Sequence, residues 1–284
     1  MEAFKEFIQQ FKKNKAAVVG AWIVLFLIIC AVFAPLLSPH DPYVQNAQER
    51  LLKPIWDGGS VKYLLGTDDL GRDVLSRLVY GARISLTIGI VSMGIAVFFG
   101  VILGLLAGYF GGKTDAIIMR IMDIMFALPS ILLIVIVVAV LGPSLTNAML
   151  AIGFVGIPGF ARLVRSSVLS EKEKEYVVAS KINGSSHFRL MCKVIFPNCT
   201  VPLIVQTTMG FASTVLEAAA LSFLGLGAQP PKPEWGAMLM NSMQYIATDP
   251  WMLVFPGVMI FLTVMSFNLV GDGIMDALDP KRTA

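Results

Sequence analysis

The chain has 284 residues, of which 56% are hydrophobic and only 14% charged, with a formal net charge of +3. A charged fraction this far below the roughly 25% of soluble domains, with a mean hydropathy of +0.75, excludes an ordinary soluble enzyme. No charged residue occurs over 84–112, 124–161, 194–216 or 250–271, and each run reaches the ~20 residues a helix needs to cross a hydrocarbon core.

In chain order, the first apolar stretch, 16–37, follows Lys12, Lys13 and Lys15. It is longer than the core of a signal peptide and no small-x-small cleavage site follows closely, so it is expected to remain as an anchor. Further spans are predicted at 84–109, 119–141, 146–164, 200–224 and 251–272, with the 124–161 run divided at Gly142-Pro143-Ser144. Hydrocarbon offers no partner to an open backbone, so the spans must be helical. The predicted fold class is therefore all-α, a polytopic membrane protein with six transmembrane helices.

With six spans both termini share a side, which carries 15 Lys and Arg against 7 opposite. This asymmetry predicts cytoplasmic termini. Orientation then accounts for the positive charge and gives nucleic-acid binding no support. Cys30, Cys192 and Cys199 lack metal-ligand spacing and are expected neither in disulfides nor at a metal.

Three divisions are expected: 1–37 with the first span, an external segment 38–83, and a five-helix core 84–284. The external segment is rich in turn formers and closes with Gly66-Thr67-Asp68-Asp69-Leu70-Gly71-Arg72-Asp73. From Val74 the amphipathic pattern predicts a helix lying at the membrane interface before the second span enters. Alternatively, Arg72, Arg77 and Arg83 only anchor that span at headgroup level. A second external loop, 225–250, is stiffened by Pro230, Pro231 and Pro233, with Trp235 expected among the headgroups.

On the opposite side, 162–197 holds seven Lys or Arg and three Glu. Glu175 to Ser180 predicts a short helix ended at Gly184 in a left-handed cap, and 187–195 a second amphipathic piece leading to Pro197.

Inside the spans, Gly100, Gly104 and Gly108 give the second span a smooth face for close packing. Arg120 and Asp123, three apart, are expected to pair. Gln206, Gly210, Ser213 and Glu217 fall at spacings of four, three and four and share one helical face, with Thr207 and Thr214 beside it. An unpaired mid-membrane charge costs roughly 2.5–3.5 kcal/mol, so Glu217 either lines a path or subunit seam, or reaches the headgroups. Asp272, Asp276 and Asp279 are expected as solvated residues at the end of the last span. His40 and His187 have no catalytic partner in sequence reach. AGYFGGKT at 107–114 mimics a phosphate loop but lacks its first Gly and joins two spans rather than a strand and a helix.

The loop carries a resemblance. Val178-Ala179-Ser180, three residues, Gly184, nine residues, then Val194-Ile195-Phe196-Pro197 resembles the EAA-x3-G-x9-I-x-L-P loop of binding-protein-dependent ABC importer permeases, with Val178 in place of Glu and Ser180 in place of the second Ala. The segments 66–86, 108–130, 221–236 and 267–280 resemble the dipeptide, oligopeptide and nickel branch, and 11–20 with 195–206 is most similar to the C subunit of dipeptide permeases. Ile274-Met275 stands where that branch commonly has Leu-Arg.

The resemblance implies the type I importer permease fold and a non-enzymatic subunit of the bacterial inner membrane, forming half of a heterodimeric pore for dipeptides, with nickel and oligopeptides as alternative cargo. It implies a second permease subunit, two ATP-binding subunits that hydrolyse the ATP, and a periplasmic substrate-binding protein, with no cofactor bound by this chain. The coupling residues it implies are Glu175, Tyr176, Ala179, Ser180, Gly184 and Pro197, within a loop at about 165–199. An ion-coupled carrier would have only Glu217 as a coupling group. An intramembrane enzyme would need a nucleophile with its base, or paired ligands, and the sequence offers none.

Overall fold

The computed structural model describes residues 2–278; the described residues are mainly helical, with irregular segments at 38–73 and 224–234 and an isolated bridge between Thr67 and Asp73. Helix α1 is Glu2–Lys13, α2 is Lys15–Val32 and α3 is Val74–Phe110; α4, Gly112–Phe126, is followed by α5, Ser130–Leu141, and α6, Leu145–Glu171. A short α7, Glu175–Ile182, precedes α8, Thr200–Phe223, then α9, Trp235–Ser242, and α10, Trp251–Leu278. Among the described residues five helical stretches are long and apolar enough to cross a membrane, and the α4–α5 pair makes a sixth if taken as one span.

That pair corrects the expected straight span at 119–141, because α4 and α5 meet at 92°. Pro129 causes the break: it lacks an N–H for the helical ladder and pushes Leu128 out of the α region. The expected interfacial helix is also not a separate element. No proline lies between Val74 and Ile84, and Val74, Leu78 and Ala82 are buried, so α3 runs unbroken from its cap at Asp73, whose Oδ2 accepts from the Ser76 N–H at 3.0 Å.

Helices α3 and α6 form the main contact of the core. Gly100, Gly104 and Gly108 face α6 so closely that an added Cβ would lie 2.4 Å from Phe160 Cβ, 2.6 Å from the Ala161 carbonyl and 2.8 Å from Val168 Cβ, respectively. Without side chains at these positions the two backbones approach, as the four-residue repeat predicts. The turn at Gly142-Pro143-Ser144 divides α5 from α6 as expected, and Ser144 caps α6 by accepting from the Asn147 N–H at 3.1 Å.

One apolar cluster joins α2, α3, α8, α9 and α10 around Leu27, Val74, Leu78, Phe211 and Trp235. Another, around Phe160, Val164, Val168, Val177, Leu190 and Ile195, reaches under the loop between α6 and α8. The phosphate-loop mimic joins helix to helix through Gly111 and Gly112, both at positive φ.

Candidate functional site

The loop between α6 and α8 is built on a cap. Gly184 has φ +80°, a region that costs L-residues about 1–2 kcal/mol. Its N–H donates to the Lys181 carbonyl at 3.0 Å and the Ser185 N–H to the Ser180 carbonyl at 3.2 Å, the two bonds of a Schellman motif. The hydroxyls of Ser180 and Ser185 lie 3.0 Å apart across it, so Ser180, in place of a second Ala, adds a link to the turn. Beyond the cap, the expected second piece is a short turn at His187–Arg189, a π-helical segment Leu190–Ile195 and a 3-10 turn Phe196–Cys199 that contains Pro197 and runs into α8.

A polar strut holds α7 at its base. The Tyr176 hydroxyl donates to the buried Glu171 carboxylate at the end of α6, Lys174 pairs with Glu171 at 2.7 Å, and Asn198 donates to the Tyr176 hydroxyl at 3.0 Å. Desolvation, reinforced by the adjacent carboxylate, pushes the Tyr176 phenol up to about 12. Lys172 donates to the Gly108 carbonyl at 3.0 Å, and the Tyr109 hydroxyl meets His187 Nδ1 at 2.7 Å. Val177 plugs into the apolar cluster below.

The loop's outer face is the reverse. Glu175 and Ala179 are exposed, and so are Val178 at 45%, Ile182 at 80% and Phe188 at 70%. Sequence reasoning passed over Ile182 and Phe188. Their signal was present: Ile182 follows Val178 by one helical turn in an otherwise basic loop, so its apolar side chain joins Val178 on one face.

The α8 stripe opens away from the core at Gln206 and Ser213, which are exposed, while Gly210 and Glu217 are half-buried. Gly210 lies against Met93 of α3. Glu217 faces the hydroxyl of Ser130, the first residue of α5 after the break. Thr207 turns back to the Leu203 carbonyl at 2.7 Å and Thr214 is buried, so neither joins the open face.

Several pairings differ from expectation. Asp123 pairs with Arg162 of α6 at 2.7 Å rather than with Arg120, because α4 runs beside α6. Arg165 forks onto Asp115 in the same seam. Asp276 accepts from Asn14 Nδ2 at 3.0 Å, whereas Asp279 lies outside the described residues.

Arg72 and Arg77 do not project from the surface as headgroup anchors would. Both are buried around Asp68, with Arg72 Nε at 2.6 Å and Arg77 Nε at 3.4 Å from its Oδ2. Arg77 also donates to the carbonyls of Pro42 at 3.1 Å and Pro231 at 3.4 Å, which ties the 38–83 segment to the 225–250 loop. Trp235, expected among headgroups, is 0% exposed and donates its indole N–H to the Leu78 carbonyl at 3.0 Å. Glu234 beside it caps α9 by accepting from the Gly236 and Ala237 N–H groups at 3.0 and 2.9 Å.

These helices and this capped loop are those of a transport permease, and the comparisons agree. Residues 100–284 match the binding-protein-dependent transport system inner membrane component family, and residues 3–54 match the N-terminal transmembrane domain of oligopeptide transport permease C. The chain belongs to the binding-protein-dependent transport permeases. It is 52% identical to the dipeptide transport system permease protein DppC of Escherichia coli over 282 residues, 99% of this chain and 94% of that one. With the di/tripeptide transport system permease protein DppC of Pseudomonas aeruginosa it shares 50% identity over 278 residues, 98% of this chain and 92% of that one. The glutathione transport system permease protein GsiD of Pectobacterium atrosepticum is 43% identical over 278 residues, 98% and 91% of the two chains. A solved structure of the inward-facing MetNI methionine ABC transporter superposes with TM-score 0.58 at 21% identity, covering 72% of this chain and 97% of its own. The fold is that of an ABC importer permease.

Proposed function

We propose that this chain is one half of a heterodimeric pore through which an ATP-driven importer moves dipeptides, and that 175–197 is the loop by which it is driven. The observation that carries this reading is the outward face of α7 and its turn, where Val178, Ile182 and Phe188 project from a base fixed by Tyr176, Glu171 and the Gly184 cap. Apolar side chains held outward on a rigid mount suit insertion into a groove of a separate subunit. The ATP-binding subunit is that partner, and its closure on nucleotide would move α7, with α6 and α8 attached, as a lever. Both termini are cytoplasmic in this arrangement, in keeping with the Lys and Arg asymmetry. The external segments tied at Arg77 face the substrate-binding protein, and Gln206, Gly210, Ser213 and Glu217 line the path or the seam with the second permease.

Dipeptides are the cargo on the strength of the relatives at 50–52% identity, whose names specify dipeptide or di/tripeptide transport. Gly184→Trp tests the lever. Its site has open space around it but a φ of +80°, so the strain of about 1–2 kcal/mol falls on the cap alone, and the variant should insert yet lose ATP-dependent dipeptide uptake in vesicles carrying all partner subunits. Normal uptake would remove the loop from the mechanism.

A further inference from the structure

Helices α1 and α2 meet at a corner whose angle is set by Asn14. Its Oδ1 accepts from the Ala17 N–H at 3.1 Å while its Nδ2 donates to Asp276 of α10 at 3.0 Å. On the outer side of this corner Phe7, Ile8 and Phe11 of α1 and Val18, Trp22 and Leu25 of α2 line an apolar groove of about 240 Å³. Trp22 is 68% exposed. Among the described residues, the one charged side chain lining the groove is Lys12, and Lys5, seven residues earlier, stands on the same edge of α1. Lys13 and Lys15 add to the same end of the corner, opposed among 5–15 only by Glu6.

Water is a poor occupant for a groove of this composition, because it would leave the aromatic faces hydrated. The adjoining α2 is a membrane span, so the medium at its flank is lipid. An amphipathic helix with an apolar stripe edged by lysines is the form that lies in a headgroup layer, and the excess of lysines selects the sign of the headgroup. We infer that this corner is a binding site for an anionic glycerophospholipid, which places an acyl chain in the groove and its phosphate between Lys5 and Lys12.

Trp22 reports directly on occupancy. The purified full-length chain is placed in vesicles with increasing mole fractions of dibrominated phosphatidylglycerol or dibrominated phosphatidylcholine, and the quenching lost in W22F is assigned to the groove. Half-maximal quenching is expected at a several-fold lower fraction of the anionic lipid. K12Q and K5Q should each weaken the anionic preference roughly fivefold, whereas K12R should retain it. Both lysines are exposed, so these variants should leave the melting temperature unchanged. Coincident curves for the two lipids would overturn the proposal, leaving bulk lipid at the groove. Absence of Trp22-dependent quenching by either lipid would also overturn it, since protein rather than lipid would then cover the corner.

Discussion

The two ends of the helical bundle handle polar and apolar groups in opposite ways. At the end formed by 38–73 and 225–250, charge is drawn inward: Asp68, Arg72 and Arg77 are buried together, Glu234 is 1% exposed and Trp235 is fully covered. At the end formed by 172–199, apolar side chains are pushed outward, and Ile182 and Phe188 stand free of the chain. A buried ion pair is costly to assemble and costlier to break, so the first end is rigid by construction. The second is rigid only at its base, where the Tyr176–Glu171 strut and the Gly184 cap hold it. A region that must keep its shape and a region that must fit another protein are distinguished by where their unsatisfied surface lies.

This contrast predicts that substitutions at the first end act on stability, those at the base of the second on both stability and transport, and those on its outer face on transport. Arg77→Met should have the largest effect on folding, because it leaves part of the Asp68 charge unanswered and frees the Pro42 and Pro231 carbonyls. A loss of about 3 kcal/mol is expected, read as a lowered melting temperature in detergent, and an unchanged melt would show that the buried cluster is not structural. Gly81→Leu comes next. A Cβ there would lie 2.5 Å from Trp235 Nε1, and the overpacking should cost about 2 kcal/mol, seen as faster proteolysis within 38–73 and 225–250.

Smaller still is Tyr176→Phe, which deletes the hydroxyl joining Glu171 to Asn198. About 1 kcal/mol of stability should go, together with a drop in dipeptide taken up per ATP hydrolysed. Equal coupling in the variant would reduce the strut to a packing detail. Ile182→Asp should be nearly silent in the melt, within about 0.5 kcal/mol, yet reduce uptake at least about tenfold if a docking contact worth about 1.4 kcal/mol or more is lost. If instead it lowers the melt and spares uptake, the contrast between the two ends is wrong.

Much of the bundle is readable without coordinates, because a hydrocarbon solvent leaves few choices. Uncharged runs of sufficient length must be helices, the glycines at 100, 104 and 108 must face another helix, and Gly184 marks a left-handed cap from its spacing to the short helix before it. The loop motif and the family were legible for the same reason: they depend on local spacing along one segment. What was misread lay where distant segments meet. Arg77 and Trp235 carry the sequence marks of membrane-boundary residues, and nothing near them in the chain reveals that 42 and 231 fold over the one and Leu78 reaches the other.

The sequence alone therefore determined the class of the protein, the placement of its apolar segments other than the one expected at 119–141 and the position of its capped loop, since those follow from hydrophobic length, backbone stereochemistry and spacing. Only the tertiary structure decided which partner each charge takes. It gave Asp123 to Arg162 and Asp115 to Arg165, sank Arg77 beneath the loops that carry Pro42 and Pro231, bent α4 against α5 at Pro129, and left Ile182 and Phe188 outside. Pairing and burial are set by the approach of residues far apart in the chain, and a linear pattern carries that information only after the helices have packed.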